Sequence, residues 1–188
     1  RSQMGALVGI VKTSDLTNST PVSVNYIDWK SRTNKRVVES SFAGEVHGAN
    51  HGYGLGHYVR CMLAEVYHGP QVVTDETTEL EGVVPLVLCT DCRSVFDCIK
   101  KEGSIPSDRT TAISIAALRQ YCSAGSGRNP VRAEMLWLPT RHQLADGLTK
   151  NKLSKQLREI MFAGKARFHG DSAKAVACAR NLMPSPAE

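Results

Sequence analysis

Long apolar runs are missing from this sequence of 188 residues. No stretch approaches the roughly 20 apolar residues that a membrane-spanning helix needs. The short, glycine-broken apolar run near the amino end also has no cleavage pattern of a signal peptide. The sequence has no initiating methionine and opens directly on strand-like residues. These absences predict a piece of a longer polypeptide that works inside the cell, in the cytoplasm or nucleus, without contact with a membrane.

The six cysteines also lack a recognisable pattern. Cys89 and Cys92 form one Cys-x-x-Cys pair, but no second pair and no closely spaced histidines complete a zinc site. The spacings do not resemble a secreted disulfide framework, which a chain of this length does not need. We interpret the cysteines as reduced side chains packed around a strand end. Half of a zinc site or a redox pair is the alternative.

Positive charge is present in excess and is unevenly placed. The net charge is +5, and residues 151–188 contribute most of it, with seven Lys or Arg against three acids. A basic segment of this kind binds nucleic acid through its phosphates without sequence preference. It is equally typical of a solvated helix face. We predict a domain over residues 1–150 and a basic, helical or flexible tail over residues 151–188 that lies outside the domain core.

The hydrophobic pattern predicts a mixed α/β domain. Two strands that form a hairpin precede a long helix, and strands and helices then alternate, which favours a mixed sheet with helices on its faces. The helix begins at the Ser40 and Ser41 capping signal, although four glycines within it each cost about 1 kcal/mol relative to alanine. The predicted strands span residues 3–12, 22–29, 83–90 and 133–138, and the predicted helices span residues 40–67, 93–101, 108–123 and 144 onward.

Three single acids stand at the ends of predicted elements. Glu45 follows the helix-start signal, Asp91 ends the apolar strand before it, and Asp146 lies in the polar turn and helix start that follow the strand up to Leu138. Carboxylate oxygens are the ligands that hard divalent cations prefer. The three acids therefore indicate a metal site that the fold assembles. Each acid alone is more often a cap or a solvated residue.

Several short motifs occur together in a recognisable order. They are Arg1-Ser2-x-x-Gly5-x-x-Val8-Gly9, Trp29-Lys30-Ser31, Val37-Val38-x-Ser40-Ser41-x-x-x-Glu45, Thr90-Asp91-x-x-Ser94 and Leu138-Pro139-Thr140-x-x-Gln143-Leu144-Ala145-Asp146-x-Leu148-Thr149-Lys150. Over about residues 1–150 the chain resembles the ribonuclease H domain at the carboxyl-terminal end of copia-type retrotransposon Pol polyproteins. The last motif is the most specific, and Gly147 stands where that family usually has isoleucine.

The resemblance implies a ribonuclease H-like fold, a five-stranded mixed sheet flanked by helices. It implies hydrolysis of the RNA strand of an RNA–DNA hybrid with two Mg²⁺ ions, or Mn²⁺ in their place. By the family's pattern Glu45 and Asp91 hold the metal on the leaving-group side, and Asp146 holds the metal on the nucleophile side. The resemblance also implies a reverse transcriptase portion of the same polyprotein upstream. This chain has no Tyr-x-Asp-Asp run, so we assign no DNA synthesis to it.

One expected carboxylate has no counterpart in the chain. The family carries an aspartate on the first, central strand, shortly before the segment that matches Arg1, and this aspartate bridges the two metals. Asp15 and Asp28 do not replace it, because one falls in the loop after the strand and the other follows the second strand. No residue matches the family's loop histidine, which lies further upstream of the last acid than His142; a catalytic role of His142 is an alternative. The resemblance therefore implies a divided sheet that lacks the central strand and weak or absent nuclease activity.

Three readings remain open from the sequence. The chain is a ribonuclease H domain of a retroelement, or a non-catalytic relative that binds nucleic acid or a protein, or a general α/β domain whose acids are caps. The last reading fails if Glu45, Asp91 and Asp146 converge in space.

Overall fold

A computed structural model describes residues 3–17, 20–34, 40–70, 84–101, 105–122, 133–150, 152 and 154–168. The strands are β1 (Gln3–Ile10), β2 (Val22–Ser23), β3 (Asn25–Thr33), β4 (Val87–Thr90), β5 (Glu134–Trp137) and β6 (Lys165–Ala166). The α-helices are α1 (Ser41–His68), α2 (Arg93–Lys100), α3 (Arg109–Cys122) and α4 (Ser154–Ala163), and short 3₁₀ helices span Thr13–Thr17, Thr140–His142 and Leu144–Leu148. The predicted loop residues 71–81 and 124–130 lie outside the described residues.

The predicted hairpin is confirmed. β1 and β3 pair antiparallel from Gln3 opposite Thr33 to Ile10 opposite Asn25, with one irregularity between Val8 and Gly9. Alternation of side chains places Met4 and Ala6 on the buried face, toward α1. The hairpin thus packs against the long helix on one face.

The long helix α1 forms where the capping signal predicts it. The Ser40 hydroxyl accepts a hydrogen bond from the backbone N–H of Ala43 at 3.1 Å, which satisfies one of the free donors of the first turn. Burial of Val46, Tyr53 and Val59 against the neighbouring strands and helices offsets the low helix propensity of its glycines. A Cβ at Gly56 would stand 2.9 Å from Leu86, so close packing requires glycine there.

The second half of the chain contributes a parallel strand pair. β4 and β5 pair in parallel, and α2 and α3 pack beside them. The shared core contains fully buried apolar side chains, namely Val95, Ile99, Ile115, Leu118 and Met135. β4 is shorter than the predicted strand over residues 83–90, since its ladder to β5 starts only at Leu86, whose carbonyl accepts from Glu134.

The predicted division at residue 150 does not match the packing. Leu157 on α4 is buried, β6 pairs with β2, and Ala166 joins Val22 and Val24 in a small apolar cluster. The turn into β6 uses Gly164 at a φ of 59°, a conformation that favours glycine. The described residues 154–168 are therefore part of the packed structure, because apolar side chains among them bury against earlier elements of the chain. Residues 169–188 lie outside the described part.

The α/β class is confirmed, with helices packed on small antiparallel and parallel sheets. Among the described residues the strands form three separate two-stranded sheets, β1–β3, β2–β6 and β4–β5. β1 and β4 both pack on α1 without pairing with each other. Within the same described ranges, every helix is too short or too polar to cross a bilayer.

Candidate functional site

Glu45 lies one turn into α1, where the Ser40 cap fixes the direction of the helix. Its side chain is exposed, yet the pKa of its carboxyl is raised. The first cause is desolvation by the surrounding protein, and the second is the negative charge of Asp91 and then of Asp146, while Lys150 acts in the opposite direction. All three acids also line the same cavity, so the three predicted acids share one region of the molecule.

Asp91 follows β4 directly and is half-buried. Its backbone carbonyl accepts a hydrogen bond from the indole Nε1–H of Trp137 on the paired strand, at 3.1 Å. The buried Thr90 before it accepts from the N–H of Cys92 through its hydroxyl at 3.2 Å, so the chain turns sharply into α2. Two neighbouring contacts therefore fix the position of Asp91 at the carboxyl end of β4.

Asp146 lies within the 3₁₀ helix Leu144–Leu148, where the sequence predicted the start of an α-helix. Its carboxylate accepts a hydrogen bond from the ammonium group of Lys150 at 2.6 Å. The side chain of Asp146 is only 17% exposed and that of Lys150 is 56% exposed, so the ion pair lies at the rim of the site. The lysine is thus the counterion of the acid cluster in this structure.

The hairpin holds this 3₁₀ helix in place. The Ser31 hydroxyl donates to the backbone carbonyl of Leu148 at 2.7 Å. A Cβ at Gly5 would stand 2.7 Å from the carbonyl oxygen of Ala145, so the strand approaches this closely only with glycine. Gly5 and Ser31 both belong to the motifs quoted above, but sequence reasoning gave them no role. Their function is to position the segment that carries Asp146.

Lys150 also lies in the last motif, and its role was missed. Its pKa is raised, first by the hydrogen bond to Asp146; desolvation, the second largest effect, opposes this, and the charges of Asp146, Asp91 and Glu45 raise the pKa further. The spacing of four residues between Asp146 and Lys150 was the signal, because such pairs face each other on a helical turn. Four groups, three negative and one positive, therefore form one electrostatic cluster.

Hard divalent cations prefer carboxylate oxygens as ligands, so the cluster offers the right type of ligand for such a cation. The spacing does not suit one ion held by three side chains: across the described ranges no three acidic, histidine or cysteine side chains group closely enough for that. The type of ligand therefore suits a divalent cation, whereas the spacing of the three carboxylates does not suit a single ion.

The other predicted candidates lie elsewhere or have structural contacts. Asp28 caps the backbone N–H of its neighbour Trp29 at 2.8 Å, and Asp15 lies in the 3₁₀ helix after β1. Neither acid is among the charges that shift the pKa of Glu45. The Nε2 atom of His142 accepts from the Arg141 guanidinium at 3.3 Å. These positions support the sequence argument that Asp15 and Asp28 do not replace the expected fourth acid.

The thiols of Cys89 and Cys122 are not ionised at neutral pH. Desolvation raises the pKa of the Cys89 thiol to about 12 and that of Cys122 to about 12. At neutral pH both therefore stay protonated, which disfavours metal binding or disulfide exchange at Cys89.

Comparisons with known proteins add no relative to this description. A scan against protein-family models finds no match, and neither the curated proteins nor the solved structures yield one.

Proposed function

We propose that this chain is a ribonuclease H-like domain of a retrotransposon polyprotein, related to enzymes that hydrolyse the RNA strand of RNA–DNA hybrids. The observation that carries the proposal is that Glu45, Asp91 and Asp146 line one cavity and that the charges of Asp91 and Asp146 both act on Glu45. Glu45 and Asp91 are 46 positions apart in the chain, and Asp91 and Asp146 are 55 positions apart, yet all three lie in one region. Three independent helix or strand caps would not be expected to meet in this way. The reaction class, hydrolysis of the RNA strand of a hybrid, is inferred from the motifs quoted above and the family that they resemble.

The order of elements supports the same proposal. An antiparallel hairpin, a long helix and a parallel strand pair flanked by helices follow one another in the chain. These match the later elements of the ribonuclease H-like fold that the resemblance implies. The first, central strand of that fold would lie between β1 and β4, where the described sheets are separate.

In this proposal Glu45 and Asp91 hold one divalent cation and Asp146 holds the other. Bound Mg²⁺ would lower the pKa of a water molecule and stabilise the leaving oxygen of the phosphodiester. The chain's own part is to hold three carboxylates at a shared site, with Gly5 and Ser31 fixing the segment of Asp146. Lys150 neutralises part of the cluster until cations replace it.

Positive charges on β3 fit a polyanionic substrate. Lys30 and Arg32 lie on β3, and both charges lower the pKa of His51 on α1, after the larger effect of desolvation. Arg32 lies 3.3 Å from the Nδ1 atom of His51. Together with the net charge of +5, these side chains favour contact with phosphates.

A non-catalytic, nucleic-acid-binding relative is the second candidate. Two observations favour it: Lys150 already pairs with Asp146, and the described residues contain no group of three ligands for one ion. In the family's pattern a fourth acid bridges the two cations, and this chain has no match for it. We therefore expect cleavage by residues 1–188 to be far slower than cleavage by a complete domain.

The two candidates separate in one set of measurements. Binding of Mn²⁺ by the purified chain is followed by electron paramagnetic resonance, and cleavage of a labelled RNA–DNA hybrid is measured in parallel. We expect Asp91→Asn to weaken Mn²⁺ binding about tenfold and to abolish residual cleavage, because it removes one ligand charge. The matched control is Asp97→Asn, which removes a carboxylate that pairs with Arg93 on α2.

If the chain binds the RNA–DNA hybrid but neither binds Mn²⁺ nor cleaves the RNA, it is a non-catalytic nucleic-acid-binding relative. Equal Mn²⁺ affinity of the wild type and of Asp91→Asn contradicts the metal site. Cleavage at the rate of a complete domain that Asp146→Asn abolishes contradicts the expected impairment and means that another residue supplies the bridge.

A further inference from the structure

Lys30 and Arg32 extend from β3 on the face of the hairpin that packs against α1. Residues two apart on a strand share a face, and the register partners of these two residues on β1 are Ala6 and Met4. Both partners are buried apolar residues, whereas both basic side chains are exposed. The two positive charges therefore lie next to each other, opposite uncharged residues.

His51 on α1 completes this basic group. The Nη2 atom of Arg32 lies 3.3 Å from the Nδ1 atom of His51. Because a guanidinium only donates hydrogen bonds, Nδ1 accepts, and the proton of the neutral imidazole lies on Nε2. The Nε2 atom is buried and has no hydrogen-bond partner within the described part of the chain. Neutral His51 thus holds the end of the Arg32 side chain in place.

The positive charge of the group is not balanced by an acid among the described residues. The described salt bridges involve neither Lys30 nor Arg32. Desolvation lowers the pKa of His51 most, and the charges of Arg32 and then of Lys30 lower it further. Asp28 lies two residues before Lys30, but its carboxylate accepts from the backbone N–H of Trp29 at 2.8 Å. An anion beside this group would therefore reduce an unfavourable repulsion.

The other titratable groups on α1 near His51 act on different partners. His47 lies one helical turn before His51, and its charge acts on Asp108, just before α3. Glu45 responds to the charges of the acid cluster and of Lys150. Of the charged residues that the structure describes, Arg32 and Lys30 are the ones that act on His51.

The basic group lies further along α1 than the acid cluster. Glu45 and His51 are six positions apart on this helix, which corresponds to a rise of about 9 Å. One strand of a nucleic acid advances about 3.4 Å per nucleotide, so this distance spans roughly two to three nucleotides. A nucleic acid with one phosphate at the acid cluster can therefore place another phosphate beside Arg32.

We propose that Lys30, Arg32 and His51 form a binding site for a backbone phosphate of the nucleic acid, and that binding of this phosphate is coupled to protonation of His51. The proposal rests on the proposed function, which places the scissile phosphate at the acid cluster. Protonated His51 carries a hydrogen on Nδ1 and no longer accepts from Arg32. A phosphate between them accepts charge-assisted hydrogen bonds from both side chains. The anion thus makes two adjacent positive charges compatible.

The coupling predicts how affinity depends on pH. A bound phosphate raises the pKa of His51, because its negative charge favours the imidazolium. Affinity for the nucleic acid therefore increases as the pH falls through the pKa of the bound form, and it levels off below the pKa of the free form. His51→Gln has no ionisable group at this position, so it should remove this part of the pH dependence.

The binding test uses the full chain in EDTA, so that affinity is measured without divalent cations and without cleavage. The probe is a short, fluorescently labelled RNA–DNA hybrid, and its anisotropy gives the affinity. We expect Arg32→Gln to weaken binding about fivefold and to lower the slope of log affinity against log salt by about one, since one phosphate contact is lost. The matched control Arg109→Gln removes an exposed arginine on α3 and should leave the affinity within about twofold.

The protonation test observes His51 itself by nuclear magnetic resonance. Its imidazole signal is the one that is missing from His51→Gln. We expect the hybrid to raise the pKa of His51 in the wild type and to leave it unchanged in Arg32→Gln. Inorganic phosphate at the same total phosphate concentration should have a much smaller effect, because a single ion lacks the other contacts of the polymer.

Equal effects of Arg32→Gln and Arg109→Gln, an unchanged pKa of His51 in the bound chain, or no hybrid binding at all overturns the proposal. An equal effect of inorganic phosphate assigns the group to a free anion and also overturns it.

Failure of the proposed function gives a different pattern. A chain that binds the hybrid through Arg32 but neither binds Mn²⁺ nor cleaves the RNA keeps the phosphate site and loses the nuclease function. A chain that cleaves the RNA while Arg32→Gln binds the hybrid normally keeps the nuclease function and loses the phosphate site.

Discussion

Glu45 and Lys150 determine how the acid cluster responds to pH and to cations. Glu45 has a raised pKa because desolvation and two neighbouring negative charges disfavour its ionised form. Lys150 has a raised pKa because the same acids favour its ionised form. The site thus holds an unfavourable negative charge that one surface lysine only partly compensates.

The first residue-scale prediction concerns stability. The folded-state pKa of Glu45 lies above its ordinary value of 4.5, so above that pH the unfolded chain releases this proton more readily. Its contribution to stability is therefore lost as pH rises from about 4.5 through the folded-state pKa. Glu45→Gln should stabilise the metal-free chain at neutral pH, on the order of 0.5 kcal/mol because water screens a partly exposed group.

Thermal unfolding at several pH values measures this gain. The difference between Glu45→Gln and the wild type should shrink below pH 4.5, where both side chains are neutral. If Glu45→Gln is less stable than the wild type at neutral pH without metal, the repulsion of Glu45 by Asp91 and Asp146 does not destabilise the fold.

The second residue-scale prediction concerns cations. Lys150→Gln removes the ammonium that pairs with Asp146, so Mn²⁺ should bind about fivefold more tightly, equivalent to roughly 1 kcal/mol for a partly exposed ion pair. Lys155→Gln is the control, because it removes an exposed lysine on α4. Titration followed by electron paramagnetic resonance measures both affinities. Equal or weaker binding by Lys150→Gln would mean that the lysine does not compete with cations.

At the scale of elements, local signals predicted local structure well. The Ser40 cap, the hairpin and the helices after Asp91 follow from residues close in sequence. Separate sheets, and the contact of Gly5 with the segment of Asp146, depend on residues far apart in the chain. The hydrophobic periodicity of the sequence does not indicate such long-range contacts. The three acids at the ends of predicted elements were visible in the sequence, whereas the pairing of Lys150 with Asp146 was assigned from the distance between their side chains.

The packing of α4 leads to an element-scale prediction. Charge and composition favoured a separate tail after residue 150, whereas Leu157 is only 6% exposed. Leu157→Ala should lower the free energy of unfolding by about 2–3 kcal/mol, through lost burial and a cavity. Phe162→Ala on the same helix should change it by less than about 0.5 kcal/mol, because Phe162 is 91% exposed. Urea unfolding of both variants decides whether α4 belongs to the cooperative unit.

At the scale of the whole molecule, the separate sheets and the acid cluster are linked. Glu45, Asp91 and Asp146 line the gap between β1 and β4, so a strand lying in this gap passes beside the acid cluster. In the family that the motifs resemble, this strand carries an aspartate. Folding stability and activity should therefore recover together when such a strand is present.

The corresponding prediction uses fusion. A strand that carries aspartate, joined ahead of β1 through a tight turn, should raise the unfolding temperature and restore Mg²⁺-dependent cleavage of an RNA–DNA hybrid by at least 100-fold, about 2.7 kcal/mol in the activation barrier. The same strand with asparagine should raise the unfolding temperature equally without restoring cleavage. Equal cleavage by both fusions would show that the aspartate has no role in the reaction.

The hydrogen bond from Trp137 to the carbonyl of Asp91 makes the site optically observable. The indole also lies 5.3 Å from the guanidinium of Arg93, so its emission depends on the geometry of the turn that carries Asp91. The chain has only two tryptophans, and Trp29 is 57% exposed, so iodide quenches its emission preferentially. In iodide, the remaining fluorescence should report cation binding beside Asp91 directly, and Trp137→Phe should abolish that signal.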